Sequence, residues 1–331
     1  MQQELELNLK DIYEARQLIA PYIRKTPLIE FPELTQTTGI RYFAKAENLQ
    51  ETGSFKIRGA ANKLLHLTEE QKAKGVLTCS SGNHGRALSL VAKKLGIHAV
   101  VCITEAVPSN KRQAILNLGG ELIVGGKTAD EALFFADQLE IERSLTMTHS
   151  FDDPNAITGQ GTIGLEILAE APNIDTFIIP LSGGSLCSGI ALAVKTINPK
   201  AKVIGVSMER APVMIESLKA GRVVEIPEEP TLADGLAGGL GQHNHWTFRY
   251  VQKLLDETVT VSEDEIAAAM YHALYHHHLV LEGAGSVGLA AVLAGKIKAV
   301  GKNAAIVLSG GNVNLSVLTK IANQYLALGN A

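Results

Sequence analysis

The stretch Val76–Val124, VLTCSSGNHGRALSLVAKKLGIHAVVCITEAVPSNKRQAILNLGGELIV, decides the fold. Within it Val76–Cys79, Ala99–Ile103 and Glu121–Val124 are short runs that are apolar on both faces rather than alternating, which is how a parallel strand covered on both sides reads. The segments between them, Gly85–Leu95 and Ser109–Leu118, carry helical spacing, so the stretch is a βαβαβ unit. Further along, a second series follows: Thr176–Pro180, a helix over Leu186–Ile197, Lys202–Ser207, helices over Ser262–His277 and Ser286–Ala294, and Ala304–Leu308. The expectation is an α/β protein with two open, twisted parallel-sheet lobes and a ligand cleft between them, because ligands of open α/β sheets sit beyond the carboxyl ends of strands. Functional motifs should therefore cluster just after strands. The long connection Pro227–Gly241, PEEPTLADGLAGGLG, reads as an irregular functional loop.

Composition narrows the partners. The 331 residues are 46% hydrophobic, enough for one large core or two medium ones, and 30 basic against 34 acidic residues leave a formal charge of −4 with no block of one sign. Nucleic acid and anionic membrane surfaces are not expected partners, and no stretch approaches the roughly 20 apolar residues of a membrane span. Met1–Lys10 lacks the pattern of an export signal, so a cytoplasmic protein with a small-molecule substrate is expected. Cys79, Cys102 and Cys187 are too scattered for a disulfide framework or a thiolate metal site. His272, His276, His277 and His278 form a cluster in which His272 and His276 share a helix face, but no carboxylate motif such as HExxH accompanies them. A solvated or interfacial helix end is the expectation there, and likewise for His243 and His245 beside Trp246; no metal is expected.

Four segments carry chemistry. In Glu47–Ala60, ENLQETGSFKIRGA, Lys56 sits at the turn between an extended run and a helix. An amine in a partly desolvated pocket loses basicity and can form a Schiff base with an aldehyde cofactor. Ser80-Ser81-Gly82-Asn83-His84 follows a strand and opens a helix, where backbone N–H groups suit a carboxylate; alone, the same residues would also serve as a helix cap. Ser182-Gly183-Gly184-Ser185-Leu186 repeats that placement, and its small residues let N–H groups converge on a phosphate; it is neither a Walker A loop nor a clean GxGxxG, so a phosphate monoester fits better than a nucleotide. Ser309, past the end of the last apolar strand, can hydrogen-bond a neutral ring nitrogen but cannot hold it protonated as a carboxylate would.

Taken in order, these segments resemble the fold-type II pyridoxal-phosphate enzymes, with the tryptophan synthase β-like architecture, and specifically the threonine and serine dehydratase branch that includes serine racemase. The matching motifs are ENLQxTGSFKIRGA, SSGNHG, GQGTIGLEI at Gly159–Ile167, TLADG at Thr231–Gly235, EGAG at Glu282–Gly285 and SGGN at Ser309–Asn312, and they span nearly the whole chain. The resemblance implies that Lys56 carries the cofactor and that Phe55 packs under its ring. Asn83 then bonds the ring oxygen, Ser309 the pyridine nitrogen, and Ser182–Leu186 the phosphate, with Glu282 also at the cofactor. The family's usual GGGGL reads SGGSL here, which preserves binding if the turn accepts side chains at Ser182 and Ser185. Ser80, Ser81, Gly82, Asn83, His84, Phe151 and Gly235 are implied to face substrate. A homodimer is implied, with a large domain of residues 1–48 plus 152–331 and a small mobile domain of 49–151. The implied reaction is loss of the α-proton to the released lysine, loss of the β-hydroxyl, and hydrolysis to a 2-oxo acid and ammonia, with L-threonine and L-serine as substrates.

Alternatives remain within and outside this class. Ser81 stands where serine racemase places its second base, although Ser207 and Val213 stand where related racemases carry cation-binding carboxylates. GVSMER at Gly205–Arg210 and the loop Leu232–Gly241 are similar to dehydratases of hydroxyectoine breakdown, and phenylserine is a further specialised substrate. Leu133 aligns where dicarboxylic substrates need an arginine, which disfavours hydroxyaspartate, and Phe151 leans toward an apolar β-substituent. His84 separates the chain from sulfhydrylases, which carry TSGNTG. A non-catalytic phosphate-ligand binding module is the reading from another class.

Overall fold

The computed structural model describes residues 6–241, 244–299 and 301–327. His243 therefore lies outside the described residues. Among the described residues ten strands form two sheets: β1 (Leu28–Glu30), β2 (Arg41–Ala46), β3 (Val76–Cys79), β4 (Ala99–Thr104), β5 (Glu121–Gly126), β6 (Thr146–Met147), β7 (Thr176–Pro180), β8 (Lys202–Met208), β9 (Glu257–Val261) and β10 (Asn303–Leu308). The smaller sheet has the order β5-β4-β3-β6 and is parallel throughout. The larger has the order β1-β2-β10-β7-β8-β9 and is parallel except at one edge, where three-residue β1 runs antiparallel to β2. One sheet thus draws on residues 28–46 and 176–308, the other on 76–147.

The central strands are apolar because helices cover both faces. Along β7 and β10, Ile178 and Ile306 enter one core, with Val287 and Met270, while Phe177, Ile179, Ala305 and Val307 enter the other, with Ile190 and Val194. Helix starts differ by one to three residues from the sequence expectation: Asn83–Leu95, Ser185–Ile197 and Gly283–Leu293 each begin earlier than the apolar spacing alone indicates. Pro227–Gly241 is irregular as expected, with a single 3₁₀ turn at Asp234–Leu236.

Two features lock the helix that begins at Lys56 (Lys56–Leu65) in place. It crosses the helix Pro154–Glu170 in backbone contact, so a Cβ at Gly59 would stand 2.5 Å from Gln160 Nε2 and one at Gly159 would stand 2.7 Å from the Arg58 carbonyl oxygen. Under the crossing, fully buried Arg58 bridges two carboxylates: it donates to both oxygens of Glu47 at 2.8 Å and to Glu166 at 2.6 and 2.9 Å. Buried Lys45 completes a neutral set at 2.7 Å from Glu166. These contacts account for the letters E and R and for one glycine, Gly59 and Gly159, in each of ENLQxTGSFKIRGA and GQGTIGLEI: paired, hydrogen-bonded charges can stay buried where lone ones cannot.

Candidate active site

Four chain reversals, each just past a strand or opening a helix, meet around one cavity of about 430 Å³ between the two sheets. Every residue expected at the cofactor or the substrate lines it: Phe55, Lys56, Ser80–His84, Phe151, Ser182–Leu186, Gly235, Glu282 and Ser309.

Lys56 is the first residue of its helix, and the segment before it is tied to the loop after β10. Phe55 N–H donates to the Ser309 carbonyl at 3.0 Å, and Gly311 N–H donates to the Gly53 carbonyl at 2.9 Å. The Lys56 ammonium donates to the Ser150 carbonyl at 2.7 Å and lies 5.2 Å from the centre of the Phe55 ring. It lines the cavity, and desolvation by burial lowers the amine from the usual lysine value to about 8. Deeply buried His84, whose Nε2 is 3.3 Å from the Thr148 carbonyl oxygen, is pushed down to about 3, first by burial and then by the charge of Lys56. It is therefore a neutral imidazole.

Ser182-Gly183-Gly184 carries the chain from β7 into the helix Ser185–Ile197, whose first N–H groups point at the cavity end of the helix without intrahelical partners. Gly184 has φ +91°, and a Cβ there would stand 2.9 Å from Thr247 Cβ; a Cβ at Gly183 would stand 2.4 Å from the Phe151 ring. The serines that replace glycine in this loop fall at the other two positions, neither of which has positive φ, and Ser182 Oγ donates to the Leu236 carbonyl at 2.7 Å. The turn accepts SGGSL because the two glycines it needs are the two that remain.

The second helix start, Gly82 before Asn83–Leu95, has no side-chain cap, so the helix-cap reading of SSGN does not hold. Asn83 instead donates to Glu282 Oε1 at 2.6 Å and accepts from Asn312 Nδ2 at 2.6 Å. Asn312 in turn accepts from Arg86 at 2.7 Å. Burial raises Glu282 to about 7 against the opposing Asn83 hydrogen bond. Ser309 Oγ reaches the Ala284 carbonyl at 3.4 Å. Sequence reasoning missed Arg86, Asn312, Lys111 and Asp234, all of which line the cavity. The last two pair across the mouth at 2.9 Å, linking the helix Ser109–Asn117 to the 3₁₀ turn. Asn312 was within reach as the last letter of SGGN and Asp234 as the D of TLADG, whereas Lys111 carries no sequence signal beyond charge.

Some expectations change. Leu133 is 47% exposed on the helix Ala129–Arg143 and does not line the cavity, so it says nothing about dicarboxylic substrates. Phe151 packs on Gly183 as a wall of the glycine loop as well as lining the cavity. Ser207 donates to Met208 Sδ at 3.5 Å and Val213 is buried.

Chemically, the cavity has an amine of lowered basicity, a helix N-terminus built around glycine, and a hydroxyl at the end of β10. Its volume and donor set suit an aldehyde-bearing phosphate monoester such as pyridoxal phosphate. The family model of pyridoxal-phosphate dependent enzymes matches residues 19–310. A putative threonine dehydratase of Sinorhizobium fredii is 44% identical over 96% of both chains. The L-threonine ammonia-lyase of Thermotoga maritima is 42% identical over 97% of this chain and 79% of its own. The solved structure of maize serine racemase superposes with TM-score 0.91 at 34% identity, over 99% of this chain and all of that one. The chain belongs to the family of pyridoxal-phosphate dependent enzymes.

Proposed function

We propose that the chain is a pyridoxal-phosphate dependent ammonia-lyase that converts L-threonine to 2-oxobutanoate and ammonia, and L-serine to pyruvate and ammonia. The observation that carries this reading is the Lys56 amine, lowered to about 8 by burial alone, standing in one cavity with two helix N-termini. Two relatives that match 96% and 97% of this chain, the putative threonine dehydratase and the L-threonine ammonia-lyase, support the substrate.

The roles follow from position. The helix start at Ser185, with Ser182, Gly183, Gly184 and Leu186, would hold the phosphate, Lys56 the aldehyde carbon, Phe55 and Asn83 would flank the ring, and Ser309 would hydrogen-bond its nitrogen; all of these residues line the cavity. Bound there, pyridoxal phosphate supplies an electron sink for the pair left at the substrate α-carbon. Ser80, Ser81 and Gly82, at the second helix start, take the substrate carboxylate, with neutral His84 behind them. Lys56 Nζ, neutral once displaced by the substrate amine, accepts the α-proton. A hydroxyl rather than a carboxylate at Ser309 keeps the ring nitrogen neutral, which favours prompt loss of the β-hydroxyl over reactions that need a long-lived carbanion. Residues 49–151 act as a small mobile domain against 1–48 plus 152–331, with the Lys111–Asp234 pair at the mouth. The same reading includes a cytoplasmic homodimer; no described helix is long and apolar enough to cross a membrane.

The test is 2-oxo acid release from threonine, serine, threo-phenylserine, hydroxyaspartate and a hydroxyectoine-derived acid. Threonine or serine should turn over fastest. No product from either, with turnover of another, assigns the specialised substrate instead. A colourless protein after reconstitution, with nothing trapped on Lys56 by borohydride, leaves only a phosphate-ligand binding module. Ser81 in the cavity with Lys56, and the likeness to a serine racemase, favour a second activity on L-serine. Absence of D-serine alongside good pyruvate formation would remove it.

A further inference from the structure

Away from the cavity, histidines gather where the proposed reaction does not use them. His272 and His277 lie near the end of the helix Glu263–His277, and their Nε2 atoms face the same oxygen, Oε1 of Glu33, at 3.2 and 2.8 Å. Glu33 belongs to the helix Pro32–Thr38, so the missing carboxylate comes from 239 residues earlier than His272. Among the described residues, these three are the one group of His, Cys, Asp or Glu whose ligating atoms all lie within 4.8 Å of one another.

Two imidazole nitrogens and a carboxylate oxygen are a donor set that zinc takes, with the fourth position left to water. Bonds of about 2.1 Å at tetrahedral angles put neighbouring donors about 3.4 Å apart; the two Glu33 spacings, 3.2 and 2.8 Å, lie just inside that and all three ligand atoms lie within 4.8 Å of one another, so small side-chain shifts bring them to a shared ion. The Glu33 side chain is 35% exposed and can move, while the imidazoles are 16% and 11% exposed and held. The His277 ring is fixed by stacking on buried Phe31, with centroids 3.5 Å apart and planes 8° apart. Exposed His276 stands beside the site, its ring centre 4.5 Å from that of His272. The nitrogen donors favour zinc and its transition-metal neighbours over magnesium or calcium, which want oxygen shells.

We propose that Glu33, His272 and His277 bind a divalent transition-metal ion, zinc fitting best, which staples the helix Pro32–Thr38 to the end of the helix Glu263–His277. Neither helix supplies a cavity residue, so the site is independent of the reaction. The experiment uses cofactor-loaded protein stripped with chelator and titrated with zinc alone, with stoichiometry and affinity read calorimetrically and the ion located by anomalous diffraction. One zinc per chain is expected, between these three side chains, with a rise in melting temperature. Glu33→Gln and His272→Ala should each weaken binding by more than the roughly 10–100-fold seen when a mere supporting partner of a metal ligand is lost, while cofactor absorbance stays unchanged. Glu33→Gln is nearly isosteric, so it reports even if the histidine variant folds poorly. Zinc binding with the same affinity in both variants, or no zinc bound by the parent protein at micromolar concentration, overturns the proposal.

Discussion

Lys45 and Lys56 are both enclosed by protein, yet their surroundings suit opposite ends. Lys45, with no exposed surface, ends on a carboxylate oxygen of Glu166 at 2.7 Å and on the Thr26 carbonyl at 2.6 Å. Lys56 has a carbonyl and the edge of a cavity, and no neighbouring charge offsets the cost of its burial. Burial with a counter-charge makes a lysine part of the scaffold; burial without one releases its proton more easily and leaves an amine able to attack an aldehyde. The helix Lys56–Leu65 joins the two cases, because Arg58, two residues into it, belongs to the same network as Lys45.

The contrast breaks most visibly at Lys56 itself. Lys56→Ala should abolish borohydride trapping of the cofactor and cut 2-oxo acid release by upward of about 10⁴-fold, the top of the range for a lost proton-transfer group. Lys45→Met should leave turnover per folded molecule within a few-fold, since its neighbour Glu166 keeps Arg58. If the two substitutions cost activity equally, the division between scaffold and chemistry is wrong. Glu166→Gln attacks the scaffold side: it strands Arg58 and Lys45 half-paired in the core, and a loss of about 3–5 kcal/mol is expected in denaturant unfolding. An unchanged midpoint would mean that the network relaxes onto water.

How much of this could be read beforehand follows the length scale of the signal. β3 and β7 match their apolar runs residue for residue, because central parallel strands are buried on both faces. β6, with two residues, and β9, half-buried along most of its length, have no such signature and emerge only from pairing with β3 and β8. In the cavity, loops after strands were legible, since a glycine or serine cluster following an apolar run is a local pattern. The Asn83–Glu282 and Lys111–Asp234 contacts, and the meeting of Glu33 with His272 and His277, join residues more than a hundred positions apart, and one sequence holds no local trace of them.

The lysine comparison sharpens with pH. Below about 8 the Lys56 amine is protonated, and as pH rises through that value the neutral fraction grows and then saturates. Attachment of pyridoxal phosphate to the stripped protein, followed by absorbance, should therefore climb to about pH 8 and flatten. A solvent-exposed lysine would go on climbing toward about 10.4 and be roughly two orders of magnitude slower near neutrality. A profile that rises without a break to pH 10 returns Lys56 to the class of ordinary lysines.

The smallest effects separate the two kinds of position in the glycine loop, and they decide whether the cofactor is held by backbone or by side chains. Gly184→Ala forces a Cβ into the left-handed region and toward Thr247, at a cost of about 1–2 kcal/mol from the backbone alone, so the cofactor dissociation constant should rise by roughly 10-fold. Ser185→Gly removes only a hydroxyl and a little helix propensity, about 0.5–1 kcal/mol, and leaves the N–H groups of the helix start where they are. Equilibrium dialysis of the two variants should therefore show weakened binding for the first and nearly parental binding for the second. The reverse order would mean that the Ser185 hydroxyl, and not the N–H cradle shaped by Gly184, is what grips the phosphate.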